Sequence, residues 1–355
     1  MKRFLAVVAA IGMVAAALLV RTVIDGGSGG GGGSSGDGSA DTTTVLCGPD
    51  LREFCEALAA DDDGVRLVVE DEAETVARLA ADDATGLDAD AWFTVGPAPA
   101  VLADDRAAAG SRPLAVGGTS APLARSPVVL VAAADRADVL QGACPDGVDW
   151  SCVGGLAGQP WTAAGGRPEW GPLRPGLPPP ATGGGLAVWS QAVSSETVSV
   201  DLPAVWARND LDDPTVSAWF DGLAAQAKRA GSAGSDPLAR FLVAPATFGV
   251  VGALEAAAGP AVQRGAGRTA LSLIYPEPVV TADVTLTVPE GSSPDRVLDD
   301  LGGDRVGQLL AEQGWRVPGQ PAAPGVGGGP PLPESSGLAS PGALSYLQQR
   351  WGAAR

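Results

Sequence analysis

The stretch Arg112–Asp135, RPLAVGGTSAPLARSPVVLVAAAD, determines how the rest of the chain can be arranged. It holds two β-rich runs, Leu114–Val116 and Pro127–Ala132, separated by two glycines and a proline. Such punctuation favours a bent extended connector over a helix. Because a large block of chain lies on either side, we interpret the stretch as a strand that crosses between two lobes. The alternative is an ordinary strand and turn within a single α/β domain.

Three strand-then-helix units precede this stretch. The predicted strands are Thr42–Leu46, Val65–Glu70 and Ala91–Val95, and the predicted helices are Asp50–Ala60, Glu72–Ala81 and Ala98–Ala108. Repeated units of this kind predict a parallel sheet covered by helices. Ligands bind beyond the carboxyl ends of such strands. We therefore expect the loops at Gly48, Asp71 and Gly96 to share one edge.

Composition excludes several functional classes. The net charge is −18 and only two lysines occur, so the chain would repel phosphate backbones, and nucleic acid is not an expected partner. The 355 residues contain no histidine, which removes the usual base of a Ser-His-Asp mechanism and the commonest metal ligand. We predict no enzyme activity, no metal and no cofactor. The alternative is an exported enzyme, which would need carboxylates such as Asp71 and Glu277 to act together, and the sequence does not place them in contact.

The N-terminus indicates export. Lys2 and Arg3 precede an apolar run, Phe4–Val20, whose length lies between a signal peptide and a membrane span. Because the run continues past its small residues, residues 1–25 favour an uncleaved anchor, with a cleaved signal as the alternative. The positive start would stay inside and the rest would be outside. Residues 26–41 are a Gly/Ser linker.

Four cysteines fit an exported protein. Cys47 and Cys55 are eight residues apart, and so are Cys144 and Cys152. In an oxidising compartment two local pairs predict two disulfides, although four cysteines allow three connectivities. Metal binding is the rival interpretation, but neither pair has CxxC spacing.

The block from Pro122 to Thr281 is rich in Trp, Gly and Pro. Its six tryptophans could line a carbohydrate site or pack in the core, and we favour packing in the core. Thr182-Gly183-Gly184-Gly185 precedes the predicted helix LAVWSQAV, whose N-terminal amides could hold a polar ligand group. Further elements are predicted after it. They are helices at Thr215–Arg229 and Pro237–Ala244, a strand at Ala270–Tyr275, a half-buried strand at Thr281–Val288, two amphipathic helices between Ser292 and Arg316, and a last helix at Ser340–Trp351.

The order of these elements resembles a known family. The βα units, the crossover SPVVLVAAAD, the helix entry TGGGLAVW, the return IYPEPVVTADVTLTVPEG and the closing LLAEQGWR together are similar to bacterial extracellular solute-binding proteins with the type II periplasmic-binding fold. The likeness covers about Thr42 to Arg316. The tail also resembles the linker of actinobacterial relatives that continues into a von Willebrand A domain. The DxSxS metal motif of that domain does not occur in the sequence, so the resemblance does not imply an adhesive role.

The resemblance implies an α/β fold with two lobes, each a mostly parallel sheet flanked by helices, joined by two crossing strands. Lobe I would comprise residues 42–120 and 282–316, and lobe II residues 121–281. Residues 317–355 would form a Pro/Gly-rich spacer and a C-terminal helix. The crossing segments would be Arg112–Pro127 and Tyr275–Asp283.

The resemblance also implies a ligand cleft between the lobes. The candidate ligand-binding residues lie in loops and strand ends, and they are Gly48, Pro49, Thr94, Gly96, Ser126, Thr182, Gly183, Gly184, Thr247 and Tyr275. Backbone amides and hydroxyls would fix a small polar solute there. The expected partners are that solute and a membrane transporter or another envelope protein. The alternative is an envelope signalling or scaffolding module that uses the same fold without transport.

Overall fold

The structure is a computed structural model that describes residues 42–61, 64–197, 205–231, 236–265 and 269–354. The predicted N-terminal anchor and Gly/Ser linker lie outside the described residues. Within the described ranges, no helix has the length and apolar character needed to cross a membrane.

Within the described residues, nine strands form the centre of the fold. They are β1 (Thr43–Cys47), β2 (Val65–Val69), β3 (Ala91–Val95), β4 (Val116–Thr119), β5 (Ala124–Ala133), β6 (Pro175–Gly176), β7 (Val250–Leu254), β8 (Leu271–Ile274) and β9 (Thr281–Pro289). Their order along the sheet is β2-β1-β3-β9-β5-β7-β6, with β4 paired to β9 and β8 paired to β5. The three predicted βα units are confirmed, because β1 pairs in parallel with both β2 and β3.

Strand β5 is the element shared by the two halves of the sheet. Its first four residues, 124–127, pair with β9, whereas residues from Val128 onward pair with β7 and β8. We call β1–β4 and β9, with the start of β5, the first half-sheet, and β6–β8, with the rest of β5, the second half-sheet. The first crossing therefore lies at Pro127–Val128, the C-terminal end of the predicted segment. The chain returns between β8 and β9, at residues 275–280, as expected.

The second half-sheet differs from the expected parallel arrangement. Strand β5 is antiparallel to both β7 and β8, and only β6 is parallel to its neighbour β7. Strand β6 is two residues long because it lies in the proline-rich run LRPGLPPP. Proline has no N–H to continue a ladder, so the parallel edge cannot extend.

Thirteen α-helices are assigned within the described residues. They are α1 (Arg52–Asp61), α2 (Glu72–Ala80), α3 (Ala98–Ala108), α4 (Ala134–Ala143), α5 (Trp150–Leu156), α6 (Gly183–Thr197), α7 (Arg208–Asp212), α8 (Pro214–Arg229), α9 (Pro237–Val243), α10 (Glu255–Gly265), α11 (Pro294–Asp300), α12 (Gly303–Glu312) and α13 (Pro341–Ala353).

The tryptophans of the second block are mainly core residues. Trp150, Trp161, Trp189 and Trp206 are buried, and Trp170 packs edge-on against Trp161 with ring centroids 5.3 Å apart. The preference for a packed core over a carbohydrate site agrees with this burial.

Both predicted disulfides are present. Cys47 pairs with Cys55, and Cys144 pairs with Cys152. The first joins the last residue of β1 to α1 and so closes a ring around the loop that begins at Gly48. Each bridge is expected to contribute about 2–3 kcal/mol by restricting the unfolded chain.

The last helix, α13, packs against helices from both halves of the sequence. The Ser345 hydroxyl donates to Asp105 on α3 at 2.8 Å, and the Gln348 amide donates to the Pro180 carbonyl, just before α6, at 2.7 Å. Near its end, the ring of Trp351 lies 4.8 Å from that of Trp189 on α6. Helix α13 therefore connects α3, which follows β3, to α6, which belongs to the second block.

We expect Leu347→Ala to lower the free energy of unfolding by about 2–5 kcal/mol, because Leu347 is fully buried in α13 and its removal leaves a cavity. Chemical denaturation measures the change. Gln349→Ala is the matched control on the same helix, since Gln349 is exposed. Equal effects of the two substitutions would contradict the packing of α13 described above.

Candidate functional site

Four of the predicted ligand-binding glycines lie close to one another. They are Gly48 after β1, Gly96 after β3, and Gly183 and Gly184 at the start of α6; we call this group the glycine junction. A Cβ atom on Gly183 would lie 1.9 Å from the carbonyl oxygen of Val95, and one on Gly96 would lie 3.8 Å from that of Gly183. The loop ends of the first half-sheet therefore touch the helix entry of the second block.

Glycine is required at two of these positions for different reasons. Gly96 has a φ of +74°, in the left-handed region that side chains disfavour. Gly183 lets its backbone approach the backbone of Val95, which any side chain would prevent. The N–H of Ala73 on α2 also donates to the carbonyl of Ala181 at 3.0 Å, so contact continues beside the junction.

A glutamate occupies the centre of this junction. Glu72, the first residue of α2, is only 4% exposed, and a Cβ on Gly48 would lie 1.8 Å from its Oε1. Within the described part of the chain, neither carboxylate oxygen of Glu72 has a hydrogen-bond partner. An unpaired buried carboxylate is strongly unfavourable in its charged form.

The surroundings of Glu72 raise the pKa of its side chain. Burial is the main cause that raises its pKa well above the ordinary value, and the nearby charge of Asp50 raises it further. The backbone N–H groups of Glu72 itself and of Gly183 lower the pKa in part, although neither makes a hydrogen bond of normal geometry with the carboxylate. The neutral acid is therefore favoured in this closed arrangement.

Asp50 is a second carboxylate at the junction. The residue as a whole is accessible to solvent, but its carboxyl group faces the junction: burial raises its pKa, and Oδ2 accepts a hydrogen bond from the N–H of Gly184 at 2.7 Å. The helix entry also holds Thr182, whose hydroxyl accepts from the N–H of Gly185 at 3.1 Å. The amides that we expected to bind an anionic or polar ligand group are thus engaged by the protein's own oxygens.

Little space remains between these groups. A cavity of about 10 Å³ lies against Glu72, Thr182 and Gly183, with Gln348 of α13 on another side. That volume is about what one water molecule needs. Among the described residues around the junction, no larger space corresponds to the expected cleft.

The other candidate residues have different roles. Pro49 starts the short 3-10 helix that carries Asp50, and the Thr94 hydroxyl pairs with that of Thr285 at 3.1 Å across β3 and β9. The Ser126 hydroxyl accepts from the N–H of Ala256 at 3.0 Å at the start of α10. Thr247 lies in the turn before β7, where its N–H donates to Ala244. These contacts do not place the four residues in the glycine junction.

Tyr275 belongs to another polar group. Its hydroxyl donates to Oε1 of Glu255 at 2.5 Å, and Arg316 forms an ion pair with the fully buried Glu255 at 2.6 Å. Burial and this hydrogen bond raise the pKa of Tyr275. The N–H of Gly327 also donates to Glu255 at 3.1 Å. The group fixes the spacer after Arg316 to the start of α10.

Sequence reasoning did not single out Glu72 or Asp50 as site residues. A signal for Glu72 was present, because it recurs with Val76 and Leu79 at the i, i+4 and i+7 positions of one helix face. That face of the helix is buried along its length, and a carboxylate among its apolar residues indicates a special environment.

No family model matches the chain, and no curated protein matches it. Solved structures do. The periplasmic binding protein P5PA is 11% identical with a TM-score of 0.51, and the match covers 88% of this chain and 98% of that one. The sulfate-binding protein SubI from Mycobacterium tuberculosis H37Rv is 14% identical with a TM-score of 0.43, and the match covers 78% of this chain and 87% of that one. The substrate-binding protein of an ABC transporter from Agrobacterium tumefaciens is 14% identical with a TM-score of 0.45, and the match covers 88% of this chain and 95% of that one.

The chain has the fold of a periplasmic binding protein. The match to P5PA spans nearly the whole of that protein and most of this chain, so the fold includes both half-sheets. In this two-lobed fold the glycine junction lies where the loops of one half-sheet meet a helix entry of the other block.

We expect Glu72→Gln to stabilise the protein at neutral pH, because it replaces an unpaired buried acid with a neutral amide. A raised pKa in the folded state means that wild-type stability is fully present below the unfolded pKa and is lost as pH rises towards the folded pKa. The advantage of the variant should therefore be small near pH 4 and grow by about 1.4 kcal/mol per pH unit above it, until the folded pKa is reached.

Unfolding free energies measured across this pH range test the expectation. Glu74→Gln is the control, since Glu74 lies on the same helix and is exposed. A difference between wild type and Glu72→Gln that does not change with pH would contradict it.

Proposed function

We propose that the chain is an extracytoplasmic solute-binding protein that captures a small polar ligand between its two lobes and delivers it to a membrane transporter. The observation that carries the proposal is the convergence of Gly48, Gly96, Gly183 and Gly184, which come from three separate segments, on one point at the meeting of the half-sheets. Loops at the carboxyl ends of strands and a helix N-terminus are the usual components of a ligand site. The proposed role is binding without chemical turnover.

The lobes of the proposal are residues 42–120 with 282–316, and residues 121–281. The change of partners along β5 at Pro127–Val128 and the return at residues 275–280 support these bounds. A double crossing restricts relative motion to opening and closing about one axis, with small backbone changes at a few positions. The closed junction is then one end of that motion, and entry of a solute needs the other.

The proposed location is outside the cytoplasmic membrane. Two disulfides fit an oxidising compartment, and the apolar N-terminal run would be the anchor or signal that delivers the chain there. The relation to actinobacterial proteins with a von Willebrand A domain is also part of the proposal and rests on the tail sequence.

A second candidate is an envelope signalling or scaffolding module on the same fold. The small cavity and the contacts of α13 with helices from both halves favour it, because both stabilise a closed form. The two functions differ in one measurable property. A receptor binds a solute and changes between open and closed forms, whereas a scaffold does neither.

We expect Gly183→Ala to hold the lobes apart, because its Cβ would lie 1.9 Å from the Val95 carbonyl oxygen. Small-angle X-ray scattering should show a larger radius of gyration than for wild type, and calorimetric titration should show loss of solute binding. Gly222→Ala is the control, since its Cβ meets nothing within 4 Å on α8. A wild-type radius together with unchanged binding in Gly183→Ala would refute the location of the cleft.

A further inference from the structure

Among the described residues, the main charges that act on the glycine junction are those of carboxylates. Besides burial, the charge of Asp50 raises the pKa of Glu72. The charges of two further carboxylates, Asp71 and Asp236, add to burial in raising the pKa of Asp50. Among the ion pairs of the described residues, none joins an arginine or lysine to Glu72 or Asp50. In the part of the chain that the structure describes, the junction is therefore acidic and has no ion-paired cation.

Closure makes this imbalance unfavourable. With the lobes apart, water can hydrate the carboxylate of Glu72; with the lobes together, the side chain is 4% exposed and both oxygens lack a partner. A ligand shifts a conformational equilibrium only through its different affinity for the two forms. A positively charged group meets this condition, because it pairs with Glu72 most strongly where water is excluded.

The remaining space restricts the size and chemistry of that group. The cavity beside Glu72 is about 10 Å³, and apolar side chains, among them Val76, Val101 and Leu186, form much of its wall. An ammonium group is similar in size to a water molecule, carries its own N–H donors and can be followed by methylene groups that suit an apolar wall. A quaternary ammonium surrounds its charge with alkyl groups and has no N–H to donate, so it cannot bring a donor up to the Glu72 carboxylate.

We propose that the solute is a primary alkylammonium compound whose charged nitrogen pairs with the carboxylate of Glu72, near enough to Asp50 to be attracted by its charge, as the lobes close. The proposal rests on the function proposed above and names the ligand class of that site.

An organic ammonium is favoured over a metal ion by the number of oxygen ligands. Calcium takes about six to eight oxygens. In the described part of the chain, no group of three or more acidic or cysteine side chains is arranged to hold a metal. Two carboxylates are enough for an ammonium, which needs hydrogen-bond acceptors rather than a full coordination sphere.

The test is calorimetric titration of the full-length chain at neutral pH and constant ionic strength. The cationic probes are methylammonium and 1,4-diaminobutane as chlorides, with tetramethylammonium, calcium and sodium chlorides as the size and metal comparisons. Potassium sulfate and mannitol represent anionic and neutral solutes. We expect saturable binding of the primary ammonium probes only, accompanied by a raised unfolding temperature.

Two variants locate the binding. Glu72→Gln should weaken the ammonium affinity about 10- to 100-fold by removing a charge-assisted hydrogen bond, whereas Glu74→Gln should leave it unchanged. Asp50→Asn is a second site variant with the same expectation, and circular dichroism confirms that each variant is folded.

The outcomes separate this proposal from the function on which it rests. Binding of sulfate, mannitol, calcium or tetramethylammonium in place of the primary amines would overturn the ligand class and leave a solute receptor. Ammonium binding that Glu72→Gln and Asp50→Asn do not weaken would overturn the site. An absence of binding by every probe, together with an unchanging radius of gyration, would refute the receptor itself.

Discussion

The pairing of β5 with β9 is the interaction on which the two-lobed arrangement depends. Four residue pairs, from Ala124 with Val284 to Pro127 with Thr281, join the strands before β5 continues into the second half-sheet. Arg125 lies opposite Asp283 in this ladder. Their side chains form an ion pair at 2.8 Å and are largely shielded from water. The backbone of Arg125 also exchanges two hydrogen bonds with Arg316. This ladder joins the two half-sheets, and the loops beyond their strand ends are brought face to face.

Those loops come together around side chains that do not neutralise each other. A closed interface usually pairs its buried charges, because a lone buried charge costs more than its contacts return. Here the backbone meets tightly at Gly183 and Val95, while Glu72 stays unpaired beside a cavity of about 10 Å³. Good shape complementarity and poor charge complementarity in one interface are what a site needs if it is to close well only when an additional group is present.

The sequence predicted those parts of the fold in which local pattern and tertiary structure agree. AWFTV between Asp90 and Gly96 is apolar or β-branched throughout, and all five residues are buried in β3 as a central strand requires. The backbone roles of Gly96 and Gly183 were predictable, because a positive φ and a close backbone approach both need glycine. The strand pairing of the second half-sheet was not, since an apolar run such as VVGAL is equally compatible with parallel and antiparallel neighbours.

Side-chain roles were harder to predict than backbone positions. Ser126 and Tyr275 were reasonable ligand candidates from their places near the crossings, yet each finds a partner within the protein, at Ala256 and Glu255. Hydroxyl groups satisfy backbone and side-chain partners throughout a core, so their presence in sequence carries little information about ligands. The sequence position of Glu72 carried more information about a site, because an acidic residue on the buried face of a helix is costly unless it has a partner.

The Cys47–Cys55 bridge makes the acidity of the site dependent on the redox state of its surroundings. The bridge closes a ring that contains Gly48, Pro49 and Asp50, so it holds the Asp50 carboxylate at the entry of α6 from the side of β1. In a reducing cytosol the ring opens and this loop gains freedom, while the strands of the first half-sheet keep their ladder. Protein produced in the cytosol and protein produced by export would then share a fold and differ in the position of one of the two carboxylates at the site.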